Sequence, residues 1–250
     1  MSTKKPDHFF IVGGQRCGTT FLCSVLDEHP QVCMAKPIVP EPKFFLDNTF
    51  LRGLDYYDRD YFREKNDGTL WLGEKSTSYH EYEHVAQRIR LTLPGATILF
   101  ILRHPTFRAI SNYFFSRKNG LETRSLEDVF LNNVPAPIPP LGLSTNPFDY
   151  FIRGEYLKYL RMYEKYFDRD HIIVLTYETF VGNLNEIQKL YARLGIDSNV
   201  EPPSLNRKIN SSDATSAVNK EIIGRLHRYY APYIAGLEAL LGRSLEEWRV

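Results

Sequence analysis

The segment Gly13-Gly-Gln-Arg-Cys-Gly-Thr-Thr20 carries the residue types that hold an anion. Gly13 and Gly18 have the GxxxxG spacing of a phosphate-binding loop, in which glycines let backbone N–H groups converge on one point. A helix following the turn adds its N-terminal dipole, and Thr19 and Thr20 add hydroxyl donors. A nucleotide triphosphatase places Lys at the position of Thr19, reaching the β and γ phosphates. Here the fixed positive charge is Arg16, inside the loop, which suits a shorter anion such as a 5'-phosphate with a small group attached. The plain alternative is a glycine turn that only joins a strand to a helix. A second segment, Arg103-His-Pro-Thr-Phe-Arg-Ala-Ile-Ser111, follows an apolar run directly. A cation at the end of a strand and a hydroxyl on the next helix can grip another phosphate. Taken alone this pattern is weak, because Arg108 and Ser111 would fit a plain helix surface equally well.

Both segments must be positioned by regular elements. Phe9–Val12, Thr97–Leu102 and His171–Leu175 are short apolar runs that read as buried strands. Helical patterns cover Thr20–Glu28, Glu81–Leu93, Thr106–Lys118, Ser125–Asn132 with Ser125 as N-cap, the face Tyr156, Leu160, Tyr163 and Phe167, the run Ile187 to Leu194, and Val218–Leu241. Pro232 is expected to break or kink the last of these. Tyr56–Phe62 is open between helix and loop. Ala35–Asp47 and Val134–Pro147 are proline-rich and read as loops, the second as an acceptor-side lid. Apolar strands alternating with helices predict an α/β three-layer sandwich around a central, mainly parallel sheet, in a single domain spanning residues 1–250. In such sheets ligands bind at the carboxyl ends of the strands, where both anion segments fall.

The bulk properties narrow the function classes. The chain has 250 residues, 43% of them hydrophobic, and a formal net charge of +1. That length buries a substantial core without disulfides or metals, and the charge gives no nucleic-acid or membrane signal. Cys17, Cys23 and Cys33 are odd in number and form no CxxC, which points to free thiols in a reducing compartment. No segment is a signal-peptide core or membrane span, so the expectation is a cytoplasmic protein. No HxxH or cysteine cluster suggests a metal.

The glycine loop resembles the 5'-phosphosulfate loop of sulfotransferases that use 3'-phosphoadenosine 5'-phosphosulfate (PAPS). There a Lys or Arg precedes a small residue and Gly-Thr-Thr. RHPxxRAxSxY, from Arg103 to Tyr113, resembles the 3'-phosphate segment of the same family. The resemblance implies that Arg16, Cys17, Gly18, Thr19 and Thr20 hold the 5' end of PAPS, and that Arg103 and Ser111 hold its 3'-phosphate. Many members carry Lys where this chain has Arg16, an exchange that keeps the charge and adds a planar fork. Glu41-Pro-Lys-Phe-Phe45 resembles the ExxFF segment that provides the catalytic glutamate of heparan sulfate sulfotransferases. Gly73-Glu-Lys-Ser-Thr-Ser-Tyr79 resembles their EKSxxY segment, whose lysine lies at the reacting centre. This implies Glu41 as general base, with Lys75 and Arg16 stabilising developing charge and Glu74 as second choice for the base. Here Pro40 and Lys43 stand where relatives often have Lys and His, and a Lys43–Glu41 pair would weaken the base. Arg207 and Lys208 are candidates for a late loop that closes over the 3'-phosphate and adenine.

The acceptor is open: a small molecule or a carbohydrate, sulfated at a hydroxyl or an amine. Oligomeric state is not legible. His80, His84 and His104 are further alternatives for the base. Two other classes compete, a P-loop kinase for a small metabolite and a catalytically inactive nucleotide-binding member of the fold. Thr19 in place of Lys, with no acidic Mg²⁺ ligand after a strand, counts against the kinase.

Overall fold

Asp7–Gly13 forms β1, and its buried run Phe9-Phe-Ile-Val12 alternates between two covered faces. In the computed structural model, which describes residues 5–206 and 218–249, β1 pairs in parallel with β3 (Trp71–Lys75) on one side and β4 (Thr97–Leu102) on the other. β2 (Val32–Met34) extends the sheet beyond β3, and β5 (Ile172–Thr176) extends it beyond β4, again in parallel. The order is β2-β3-β1-β4-β5. From β1 the chain crosses to the outer strand β2, returns to β3 beside β1, then passes over β1 to β4 and on outward to β5. The topological switch, where open α/β sheets bind ligands, therefore lies at the carboxyl ends of β1 and β4.

The described residues divide between two compact units, one drawn from Met1–Leu102 and Leu160–Ile209, the other from Arg103–Tyr159 and Asn210–Val250. The first holds the sheet. On one face Phe9, Ile11, Leu99, Ile101 and Ile173 pack with Phe21, Leu22 and Val25 of α1 (Thr19–Asp27) and with Ile187, Leu190 and Tyr191 of α8 (Leu184–Leu194). On the other, Phe10 meets Phe45 edge-on and Phe100 meets Tyr163. Helices cover a parallel sheet on both faces because its strands have no polar side to turn to water. α2 (Gly53–Tyr61) settles the segment left open between helix and loop. It is helical and buries Tyr57 against Phe44. α3 (Glu83–Thr92) and α7 (Tyr177–Phe180) complete this unit.

The second unit is built on α4 (Pro105–Lys118), α5 (Leu126–Phe130) and α9 (Lys220–Leu241), and α6 (Tyr156–Glu164) begins in it. Its core joins Ala109, Ile110 and Tyr113 to Phe130, Tyr150, Ile222, Leu226 and Tyr230. Ser125 caps α5 in a capping box with Asp128. α9 runs through Pro232 without interruption, contrary to the expected break. Pro232 lies on an exposed face of the helix, where its ring meets no packed neighbour across the helix. Arg108, for which a plain helix-surface role was the alternative, is fully buried, with a hydrogen bond to Asn112 Oδ1 and another to the Tyr150 carbonyl. The proline-rich loop is tied at both ends. Arg124 donates to the Val134 carbonyl at 2.6 Å, and Asn112 and Ser116 donate to that of Pro147 at 3.1 and 3.0 Å. Arg207 and Lys208 lie outside the described residues.

Among the described residues no helix is long and apolar enough to cross a membrane, and no group of three or more His, Cys, Asp or Glu side chains could hold a metal ion. Cys17, Cys23 and Cys33 are buried free thiols.

Candidate active site

The glycine loop leaves β1 and turns on left-handed residues. Arg16 has φ 68° and Gly18 has φ 90°. A non-glycine residue in that region is uncommon, and such turns of successive N–H groups make anion-binding concavities. Gly13 and Gly18 are required by space. A Cβ at Gly13 would stand 2.5 Å from Nδ1 of His80, and one at Gly18 would stand 2.9 Å from the Tyr177 ring. Gly18 caps α1 with no side-chain hydrogen bond, and the first turn holds no acidic residue. The first N–H groups of a helix have no intrahelical acceptor, so this end of α1 is suited to an anion. Thr19 is buried and Thr20 exposed. Cys17 is buried, its Sγ 3.6 Å from the Gln15 carbonyl.

Beside β1, the end of β3 brings Lys75 to Glu41. Lys75 Nζ is 3.1 Å from Glu41 Oε1, with side-chain exposures of 8% and 17%, so water screens the pair only in part. Glu41 also accepts from Thr77, from its N–H at 2.9 Å and from its hydroxyl at 3.0 and 3.1 Å. The ion pair of Glu41 is thus with Lys75, where sequence reasoning weighed Lys43. The Lys43 backbone N–H donates to Ser76 Oγ at 3.0 Å.

Glu74 precedes Lys75 on β3 and points to the opposite face. It is fully buried, accepting from Tyr57 at 2.6 Å and from Ser76 at 2.7 Å. Burial pushes its carboxyl pKa up, against the pull of these hydrogen bonds. Its surroundings are those of a group that holds α2 to the sheet. His80 lies buried with Nδ1 2.8 Å from the Thr77 carbonyl, and His84 is exposed.

In the second unit, Arg103 follows β4 directly and Ser111 is buried on α4. Tyr156 donates to the Arg103 carbonyl at 2.7 Å, tying down the backbone at that position. His104 caps α4, its Nδ1 accepting from Thr106 N–H at 3.2 Å, with Pro105 as the first helical residue. Thr77 and Tyr156 escaped sequence reasoning in these roles, because their partners are distant in the chain.

The profile of the sulfotransferase domain family matches residues 6–223. The mouse bifunctional heparan sulfate N-deacetylase/N-sulfotransferase 3 is 31% identical over 172 residues, 67% of this chain and 20% of its own length. Mouse heparan sulfate glucosamine 3-O-sulfotransferase 3A1 is 23% identical over 264 aligned positions, 97% of this chain and 64% of its own. The match spans about one fifth of the first relative. Among solved structures, a sulfotransferase from Alicyclobacillus acidocaldarius superposes with a TM-score of 0.75 at 25% identity, covering 99% of this chain and all of that one. A mouse sulfotransferase complexed with PAP, at 15% identity, shares the fold with a TM-score of 0.55 over 98% of this chain and 90% of its own.

Proposed function

The chain belongs to the sulfotransferase domain family, and from that premise we propose that it moves the sulfuryl group of PAPS to a hydroxyl or amine of a small-molecule or carbohydrate acceptor. The family match over residues 6–223 carries this reading. For the donor, the support is a glycine loop with Arg16 in place of a P-loop lysine, and a neighbour of the same fold complexed with PAP.

Sulfuryl transfer is an in-line displacement. The acceptor heteroatom bonds to sulfur, its proton passes to Glu41, and the bond from sulfur to the bridging oxygen breaks. Adenosine 3',5'-bisphosphate leaves with the electron pair. Lys75 and Arg16 stabilise the charge that grows on the bridging oxygen, and positioning and electrostatics supply most of the acceleration. The approach of Lys75 to Glu41 supports their sharing one site, with the cation free to turn to the bridging oxygen when the donor is bound. Arg16, Cys17, Gly18, Thr19 and Thr20 take the 5' end of the donor. Arg103 and Ser111 take the 3'-phosphate, and the reaction as written uses no metal. The proline-rich loop acts as a lid on the acceptor side. Residues 1–250 are one sulfotransferase domain in this reading, and three buried free thiols fit a reducing, cytoplasmic site of action.

Calorimetry with adenosine 3',5'-bisphosphate, ATP and 5'-AMP tests the donor. The bisphosphate should bind best, and Arg103→Ala should weaken it by roughly 10- to 100-fold, the loss of a charge-assisted hydrogen bond to phosphate. ATP binding as tightly, indifferent to Arg103, would return the chain to the kinase reading. Glu41→Gln should keep the bisphosphate and lose turnover.

A further inference from the structure

We propose that Thr77 is the positioning residue that holds Glu41 in line as the base, an inference that rests on the catalytic reading above. Glu41 stands between Pro40 and Pro42 in a segment with no helix or strand to orient it. A free glutamate side chain loses rotamer entropy when it is fixed. Thr77 fixes it with two donors on one residue. The N–H reaches Oε2 at 2.9 Å, and the hydroxyl lies 3.0 Å from Oε1 and 3.1 Å from Oε2. An ionised carboxylate offers about four lone-pair directions. Two donors from Thr77 and one from Lys75 leave one direction for the proton of an acceptor.

Thr77 can do this because its own place is rigid. It follows β3 within a turn closed by Tyr79 N–H on the Ser76 carbonyl at 3.0 Å. Ser76 N–H bonds the Ile11 carbonyl of β1 at 3.1 Å, and the Thr77 carbonyl faces His80 Nδ1 at 2.8 Å. Lys75 is a poor substitute as a positioner, being a point charge with no fixed donor direction whose proposed role takes it to the leaving oxygen.

Thr77 is not needed merely to hold the segment down. Lys43 N–H bonds Ser76 Oγ at 3.0 Å, Phe45 N–H bonds Tyr79 Oη at 2.8 Å, and Phe44 and Phe45 are fully buried. The segment is therefore anchored two and four residues beyond Glu41, and the Thr77 bonds serve the carboxylate alone.

Thr77→Val keeps shape and N–H and removes the hydroxyl, and Thr77→Ser restores the hydroxyl. The readouts are release of adenosine 3',5'-bisphosphate from PAPS, calorimetric affinity for that product, and Tm. The acceptor is the one on which the wild type turns over fastest among desulfated heparan sulfate, 4-nitrophenol and water. Thr77→Val should lower kcat by about tenfold or more, as misplaced catalytic groups do. KM for PAPS and product affinity should stay within about twofold, and Thr77→Ser should recover most of the rate. A wild-type rate in Thr77→Val beside an inactive Glu41→Gln would overturn the positioning role alone. Equal loss of rate, affinity and Tm, unrescued by serine, would make Thr77 structural and overturn it too. A near-wild-type Glu41→Gln would remove the base itself.

Discussion

Two carboxylates flank Lys75, and their surroundings divide the work between them. Glu41 reaches it from a neighbouring segment, half-buried and ion-paired, while Glu74 points away into a dry layer under α2. Burial raises the Glu74 pKa above its value in the unfolded chain. The folded state therefore holds an extra proton in the interval between the two values. That contribution to stability is complete below the unfolded pKa and is lost as pH rises through the folded one. As pH rises above the ordinary carboxylate range, the Tm of the wild type should consequently fall more than that of Glu74→Gln, which has no proton to lose. Parallel Tm–pH curves would mean that Glu74 ionises normally. Burial and partners of this kind are not legible in a sequence. The strings around Glu41 and Lys75 marked both residues, but nothing in Ser76-Thr-Ser78 says that the middle hydroxyl faces a glutamate far upstream.

Elements were legible where apolar runs were long enough to carry a period. β1, β4 and β5 stand out as such runs, and α1, α4 and α8 fall close to their expected bounds. β2 is three residues and too short to show a pattern, and β3 offers only Trp71 and Leu72 before Gly73-Glu-Lys75. Trp71-Leu72 is enough to suggest that the Lys75 segment leaves a buried strand, but β2 becomes a strand only because its neighbour supplies the ladder, which is tertiary information. The glycine loop was legible because its backbone restricts residue type at specific positions, and this gives a prediction. Gly18→Ala forces a side chain into a left-handed turn and against the Tyr177 ring at 2.9 Å. It should weaken adenosine 3',5'-bisphosphate by at least about tenfold and lower the Tm. Gly242→Ala has a similar φ of 64° at the end of α9 but open space around its Cβ. It should cost only the backbone strain, about 1–2 kcal/mol, with affinity unchanged. Equal affinities in the two variants would remove the loop from the donor site.

At the scale of the whole molecule, sequence reasoning reached the fold class and the family but not the acceptor, because most aromatic side chains serve the core. Tyr57, Tyr79, Tyr150, Tyr163, Tyr191 and Tyr230 are all fully buried and say nothing about a substrate. Histidine follows the same pattern and sets a limit on the acid stability of each unit. His8 in the first unit and His104 in the second are both held down to about 4, chiefly by burial. The unfolded chain binds protons on these groups from about pH 6.5 downward while the folded chain does not. The stability they contribute is therefore present above 6.5 and lost as pH falls towards 4. For His104, 3% exposed, the shift from 6.5 to about 4 corresponds to about 3 kcal/mol. His104→Asn keeps an oxygen for the Thr106 N–H, so α4 retains its cap, and it removes the titration. Denaturant unfolding at pH 7 and pH 4.5 should show a smaller loss of stability for His104→Asn than for the wild type. An equal loss in both would mean that His104 takes up its proton without leaving its place, and the acid sensitivity of the chain would then rest on His8 and the first unit.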